Sequence, residues 1–540
     1  SESSSQGVVS VTLVDKDLES LRGKRTVLYE DEGLFDLIRK GFGASVTNGG
    51  LSSTPRASIG AYGDLIARDL RVLNSTTTGR LRLLTRGRLV ELCDFVVEAD
   101  GGGLRNHKPR SVKSNEENRE TFREENAPPW WLVSEEREGA NTAHSQEGHT
   151  EGPGYFYGSK TVASSFESLR TLKRLALAAP RLPPYALVAV PKSILPAFSE
   201  VVLPRLKSPI ILVSADPASD LATPGEPCRI QLPREYISAS KIDQSLEPQG
   251  KAGWFDPLSL AQSPKIAHWF ADSWTLEDPP QAVASKLTLL PIGLSDSDEP
   301  GGSGDLRALI AAAALPWGGS LGPATGSKDT APSRASRLLA VANFHHSGGS
   351  YNWGAPQGGG PKGERSAALA ALAGRSAQVY FDKPRRPAEA WSLRRLGAPV
   401  DPSQVEPTSD QNRTRGESGG SREEREVFFG FDICPAGNGP DTHRTWEALA
   451  LGLLPVLRES PLTGALAETA EGRGLFPMVV VERWDAAPKS LDEAQQRARR
   501  HVSSPRAHAS SLLRLTCEWW GGVLREKQAD LLAAASGIAA

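Results

Sequence analysis

Phe428–Leu457 reads FFGFDICPAGNGPDTHRTWEALALGLLPVL, and this stretch decides the fold. Its first residues form an apolar run of strand length. Gly437 and Gly439 flank Asn438, a combination that turns a chain tightly and lets backbone approach a ligand. Asp441 or Thr442 then supplies an N-cap for a helix that Gly452 closes. Leu454–Leu457 is a second strand. A glycine turn running into a helix N-terminus presents free N–H groups and a partial positive charge, which suits a diphosphate. His443 and Glu447 stand four residues apart and share one helix face. Arg444 lies beside them and can grip a phosphate bidentately. Glu447, one turn deeper, is a partner for ribose hydroxyls.

The same alternation extends outward. Apolar runs at Tyr185–Val190 and Ile210–Val213 read as buried strands, and Leu287–Leu294, Leu338–Phe344, Val379–Phe381 and Met478–Val481 as further strands. Lys265–Trp274 lies among them. Helical spacing occurs over Leu34–Phe42, Ile194–Leu206, Leu306–Leu315, Glu364–Ala373, Leu462–Ala470, Leu491–Val502 and Ser510–Leu532. Strands at Val8–Val14 and Thr26–Tyr29 complete an N-terminal α/β region. Strands alternating with helices imply parallel sheets covered on both faces, with ligands beyond the carboxyl ends of the strands. The expected division is an α/β region over 1–100, a polar insertion over 101–153 pinned by Trp130 and Trp131, and a Rossmann-like lobe over 154–300. A linker over 301–335, a second, nucleotide-binding lobe over 336–505 and closing helices over 506–540 follow. A further polar insertion occupies 401–425.

Composition narrows the function classes. The chain has 540 residues, enough for several domain-sized units. Lys plus Arg is 62 against 64 Asp plus Glu, a net charge of −2, which argues against a nucleic-acid partner. Gly (52) and Pro (40) are abundant, in keeping with long polar insertions in a folded core. No apolar run reaches the ~18 residues of a spanning helix. Cys93, Cys228, Cys434 and Cys517 form no CxxC pair, which excludes a zinc ribbon. Asn74 and Asn412 begin N-x-[ST] sequons, acceptors only in a secretory compartment.

The run CPAGNGPDTHRTWEALALGLLPVL resembles the nucleotide-sugar end of exostosin-like glycosyltransferases, and especially the relatives that include the ribitol xylosyltransferase. Supporting stretches occur in the same order. They are Ile210–Pro224 (IILVSADPASDLATP), Trp269–Ala271 with Lys286–Leu294 (KLTLLPIGL), and Leu338–Phe344 (LLAVANF) with Glu364–Arg365. The resemblance covers about residues 183–500 and departs from the family around Asp272–Ser273 and Ala215–Asp220. It implies a GT-B-like α/β architecture of two Rossmann-like lobes. The implied activity is sugar transfer from a nucleoside-diphosphate sugar, with uridine as the base, to a hydroxyl of a glycan or glycoprotein. No metal is expected. By the same resemblance Arg444 holds the diphosphate, Glu447 the ribose, and Asn343 and Arg365 lie near the donor. The family's compartment is the Golgi or secretory lumen, with membrane contact only through an anchor absent from this chain; a cytoplasmic protein is the alternative.

An inverting transfer needs a general base for the acceptor hydroxyl. Asp216, at a strand's carboxyl end, is the candidate, with Asp220 second. Competing readings are weaker. Asp296-Ser297-Asp298 and Asp15-Lys16-Asp17 have the Asp-x-Asp pattern of a metal-dependent transferase but read as acidic loops. Gly437-x-Gly439 with Glu459 is a partial dinucleotide fingerprint, which lacks its third glycine and leaves Arg444 and Glu447 without roles. His443 and Glu447 as metal ligands have no evident third. Gly322–Lys328 has the wrong spacing for a P-loop, and His345-His346 reads as a loop pair. A non-catalytic scaffold with the same fold, using its insertions as contact surfaces, is the alternative of a different class.

Overall fold

A computed structural model describes residues 31, 33–43, 65–76, 81–96, 172, 174–192, 195, 198–214, 228–229, 254–255, 257–272, 274, 279–295, 306–317, 338–344, 364–373, 378–381, 387–400, 425–436, 441–468 and 474–537. Two five-stranded parallel sheets organise these residues. The first contains β1 (Phe95–Val96), β2 (Leu187–Ala189), β3 (Ile210–Ser214), β4 (Ile266–Asp272) and β5 (Leu287–Leu290), adjacent in that order. The second contains β6 (Leu339–Ala342), β7 (Val379–Phe381), β8 (Phe429–Ile433), β9 (Leu454–Arg458) and β10 (Val479–Val481). Its spatial order is β10-β9-β8-β6-β7. The fold class is thus α/β with two parallel-sheet lobes, as the alternating pattern predicts.

Parallel strands are covered on both faces, so their sequences read as unbroken apolar runs. Every residue of β2, β3, β6 and β8 is buried. Register is set by that packing: Val188 stands beside Leu212, Leu212 beside Trp269, Phe431 beside both Ala340 and Leu454, and Val456 beside Val479.

The helices are α1 (Leu34–Phe42), α2 (Leu65–Ser75), α3 (Leu306–Ala314), α4 (Glu364–Leu372), α5 (Pro387–Leu396), α6 (His443–Ala450), α7 (Pro461–Leu466), α8 (Ala487–Val502), α9 (Pro505–Arg514) and α10 (Cys517–Ala535). Shorter helical turns lie between them. Helix α6 ends on Gly452, whose φ of 75° accommodates the left-handed turn. There Gly452 N donates to Leu449 O and Leu453 N to Ala448 O, a Schellman closure. An antiparallel pair, Ala398–Val400 with Arg425–Val427, closes the base of the insertion between them.

The structure departs from the sequence expectations in several places, among them the helix expected over Leu462–Ala470, which ends at Leu466 because Ala467 is extended. The segment read as one helix over Ile194–Leu206 contains a π-turn at Phe198–Val202 and a 3₁₀ turn at Leu203–Arg205. Pro204 lacks the N–H that an α-helix needs there. The segment Ser510–Leu532 is two helices, because Thr516 is extended and its hydroxyl caps the N–H of Trp519. Strand β1 lies inside the first hundred residues yet pairs with β2, so that segment contributes an edge strand to the first lobe. The expected strands at 8–14 and 26–29, and the 101–153 insertion, lie outside the described residues.

The C-terminal helices return to the first lobe. Helix α1 packs on α9. Asp69 of α2 is buried and takes bonds from Arg514 Nη2 (2.9 Å) and Trp519 Nε1 (3.0 Å). Arg525 Nη1 donates to Asp94 Oδ1 (2.6 Å), and Arg82 pairs with Glu518 (2.8 Å). Leu83 forms a bridge with Thr516, and Thr85 with Leu294. Asp69→Ala strands a buried guanidinium and an indole N–H, so it should cost about 3–5 kcal/mol. The urea midpoint of the full chain measures this, and a loss below about 1 kcal/mol would show that α10 docks without the pair.

Three buried imidazoles give stability a pH dependence. Burial pushes His268 down to about 3, His501 to about 4 and His508 to about 3, with nearby cations adding to each. His508 Nε2 bonds Ala450 O at 2.7 Å, and His268 Nε2 bonds Thr288 Oγ1 at 2.9 Å. Such groups stay neutral in the fold, while the unfolded chain protonates near 6.5. Stability is therefore full above pH 6.5 and falls as pH drops toward 4. Asp432, pushed up to about 6 by burial, acts in the opposite sense, as do Asp69, Glu200 and Glu364, whose carboxyls burial also raises, but the imidazoles, centred at 6.5 in the unfolded chain, respond first as pH falls from 7. The melting temperature should fall between pH 7 and pH 5, and His508→Gln should flatten the slope. A melting temperature that rises on acidification would contradict this assignment.

Candidate functional site

The second sheet contains a topological switch point. Counted along the chain from β6, its order is 2-1-3-4-5, so the winding reverses between β6 and β8. In sheets of this kind ligands bind beyond the carboxyl ends of the strands where the order reverses. Asn343 and Phe344 follow β6 there, and Cys434, Pro435 and Ala436 follow β8. The described strands of the first sheet run without reversal. The crevice is therefore assigned to the second lobe, over α6.

The entry to α6 is anchored by Asp441. Its Oδ1 accepts from Thr442 N (2.7 Å) and Trp446 Nε1 (3.0 Å), and its Oδ2 from Ile292 N (2.9 Å). Thr442 is the extended N-cap residue, without a side-chain cap bond. His443 Nδ1 lies 2.8 Å from Gly293 O. A carbonyl oxygen only accepts, so the proton is on Nδ1. Asp441 and His443, both expected at the ligand, thus hold the start of α6 against the end of the first lobe's sheet.

Below this entry four charged side chains converge. Arg394, Asp432 and Glu447 are buried. Arg394 Nη1 lies 3.2 Å from Asp432 Oδ2 and 3.5 Å from Glu447 Oε2. Trp391 Nε1 donates to the same Glu447 oxygen at 3.1 Å. Glu447 Oε1 makes no hydrogen bond among the described residues. The Arg444 guanidinium packs over the Phe344 ring, 5.7 Å from its centroid, and its buried Nε has no hydrogen-bond partner there. Burial raises Asp432 to about 6 against the opposing pull of Arg394 and Arg444. Burial lowers Arg444, and the Arg394 charge lowers it further. Burial alone would lower Arg394 too, but Asp432 and Glu447 outweigh it and the net shift is upward.

Other candidates flank the cluster. Asn343 is buried at the end of β6, and Arg365 is half-buried in the first turn of α4. That turn is pinned by Glu364, which accepts from Arg458 Nη1 and Trp484 Nε1, each at 3.2 Å. In the first lobe, Lys192 and Asp272 form a buried pair at 3.0 Å beyond β2 and at the end of β4. Asp216, Asp220, Gly437, Asn438 and Gly439 lie outside the described residues, as do Asp296, Asp298, His345 and His346. Among the described residues no three His, Cys, Asp or Glu side chains gather as metal ligands would. No described helix is long and apolar enough to cross a membrane.

Sequence reasoning missed Arg394 and Trp391 because it missed α5. The signals were present: Pro387 at the first helical position, Glu389 in the first turn, Arg394 and Arg395 in the last, and Gly397 just beyond. Trp391 and Arg394 are three apart and share a face.

No family model matches the chain, and no curated protein matches it. Among solved structures, the catalytic domain of starch synthase IV from Arabidopsis thaliana, bound to ADP and acarbose, is similar. The likeness has a TM-score of 0.31 and 10% identity, covering 69% of this chain and 77% of that one. It is a loose likeness of shape, and the site stands on its own geometry.

Proposed function

We propose that this protein is a glycosyltransferase that moves a sugar from a nucleoside-diphosphate sugar, with uridine as the base, to a hydroxyl of a glycan or glycoprotein. The observation that carries the reading is Arg444 at the switch point. It is a part-buried guanidinium, enclosed at Nε and with no ion pair among the described residues, stacked on Phe344 in the first turn of α6. A guanidinium placed so suits a diphosphate, which it can meet bidentately. Glu447, one turn further, keeps Oε1 for ribose hydroxyls. The exostosin-like sequence pattern assigns the same roles to the same two residues.

In this reading the reaction needs charge stabilisation on the departing diphosphate. Arg444 and the amides of 437–442 supply it, and no metal is required. Asn343 and Arg365 border the donor. The acceptor hydroxyl gives its proton to Asp216, with Asp220 as second candidate. The compartment we infer is the Golgi or secretory lumen, where Asn74 and Asn412 would carry glycans; intact mass of the native protein tests this.

Calorimetry separates the readings. UDP should bind the wild-type chain, and Arg444→Met should weaken it by ~10- to 150-fold, the worth of a charged hydrogen bond, while uridine is affected by less than about threefold. A wild type that binds no nucleotide would favour the scaffold alternative, and a preference for NAD the oxidoreductase. Asp216→Asn should abolish transfer while UDP affinity stays at the wild-type level. Unchanged transfer would remove Asp216 from the mechanism.

A further inference from the structure

We propose that helix α5 is the ribose-selectivity element of the site: Arg394 and Trp391 position the Glu447 carboxylate so that Oε1 engages the ribose diol. The inference rests on the donor reading above and adds two residues that the sequence pattern assigns no role.

The geometry is specific. Glu447 belongs to α6 and Arg394 and Trp391 to α5, so the contact joins two helices distant in sequence. Both groups converge on one oxygen, Oε2: Trp391 Nε1 donates a hydrogen bond to it at 3.1 Å, and the Arg394 charge stands 3.5 Å away at Nη1 as an ion pair without a hydrogen bond. A carboxylate has two acceptor oxygens with about four lone-pair sites. A hydrogen bond and a neighbouring charge on one oxygen from inside the protein restrain the plane of the group and leave the other oxygen for a ligand. The same Arg394 Nη1 lies 3.2 Å from Asp432 Oδ2, so one cation is shared between the two carboxylates. Trp391 is fully buried, so its indole has little freedom to turn away. A glutamate in the second turn of a helix otherwise has three rotatable side-chain bonds, and here they are locked. A cis-diol demands an acceptor in a fixed place, because both hydroxyls must reach it.

Arg394 and Trp391 do not touch the ligand in this arrangement; they are positioning residues. Their loss should act on discrimination between ribose and deoxyribose, whereas Arg444, at the phosphates, should weaken both sugars alike. A pair that merely held α5 to α6 would lower stability and affect both nucleotides equally.

The test compares UDP with 2′-deoxy-UDP by calorimetry on the full chain, in the wild type, Arg394→Met and Trp391→Phe. The wild type should prefer UDP by ~10-fold or more, the effect of losing one hydrogen bond to a charged group. Arg394→Met should bring the preference to within about threefold. Trp391→Phe, which keeps an aromatic side chain but loses the N–H together with the indole's second ring, should fall between. If Arg394→Met fails to fold, judged by circular dichroism, Trp391→Phe alone decides. A variant that folds, binds UDP and keeps the wild-type preference overturns the inference, as does a wild type that binds both nucleotides equally. A wild type that binds neither nucleotide refutes the donor reading itself, a distinguishable result.

Discussion

Three charged side chains held out of water around one short helix, with a fourth half-buried beside them, impose the strictest requirement on this fold. Arg394, Asp432, Arg444 and Glu447 come from α5, β8 and α6, so the sheet and both helices must be in register before any charge finds its partner. Ion pairs in a low-dielectric interior repay their desolvation only with good geometry, and often add nothing to net stability. Burial outweighs the two arginines at Asp432, whose carboxyl is pushed up to about 6. Charges set at such cost beside a switch point belong to binding chemistry more naturally than to stability.

The same helix connects that cluster to the rest of the molecule. Asp441 and His443 at its start bond Ile292 and Gly293 just after β5, so the lobe that carries the crevice also touches the first lobe at the crevice's edge. A second connection lies along α9 and α10, through Asp69, Arg514, Trp519, Arg525 and Asp94. One joint is made of two bonds near the ligand end, and the other of a long buried and charged interface.

Much of the architecture was legible in the amino-acid order. Ile210–Val213 and Leu454–Leu457 are apolar runs of strand length, and each is a strand, because a parallel sheet buries both faces. Helix α6 was legible from its glycine turn and from Gly452. Ile194–Leu206 was not, because apolar spacing is indifferent to the missing N–H of Pro204. The helix end at Thr516 was also missed, since its signal is one hydroxyl in otherwise helical spacing. Helix α5 escaped because it lies between insertions and its buried face is small, yet it supplies the partners of Glu447.

By itself the sequence determined the α/β class, the order of most strands and helices, and a helix start rich in Asp, His, Arg and Glu after a glycine turn. These follow from local periodicity and turn chemistry, which act over a few residues. Which of those polar residues face a ligand was decided by tertiary structure. Asp441 and His443 are engaged across the lobes, Glu447 is oriented by residues about fifty positions upstream, and Arg444 is left with Phe344 beneath it. Spacing shows which side chains share a helix face; which partners already occupy that face depends on chain segments that only folding brings together.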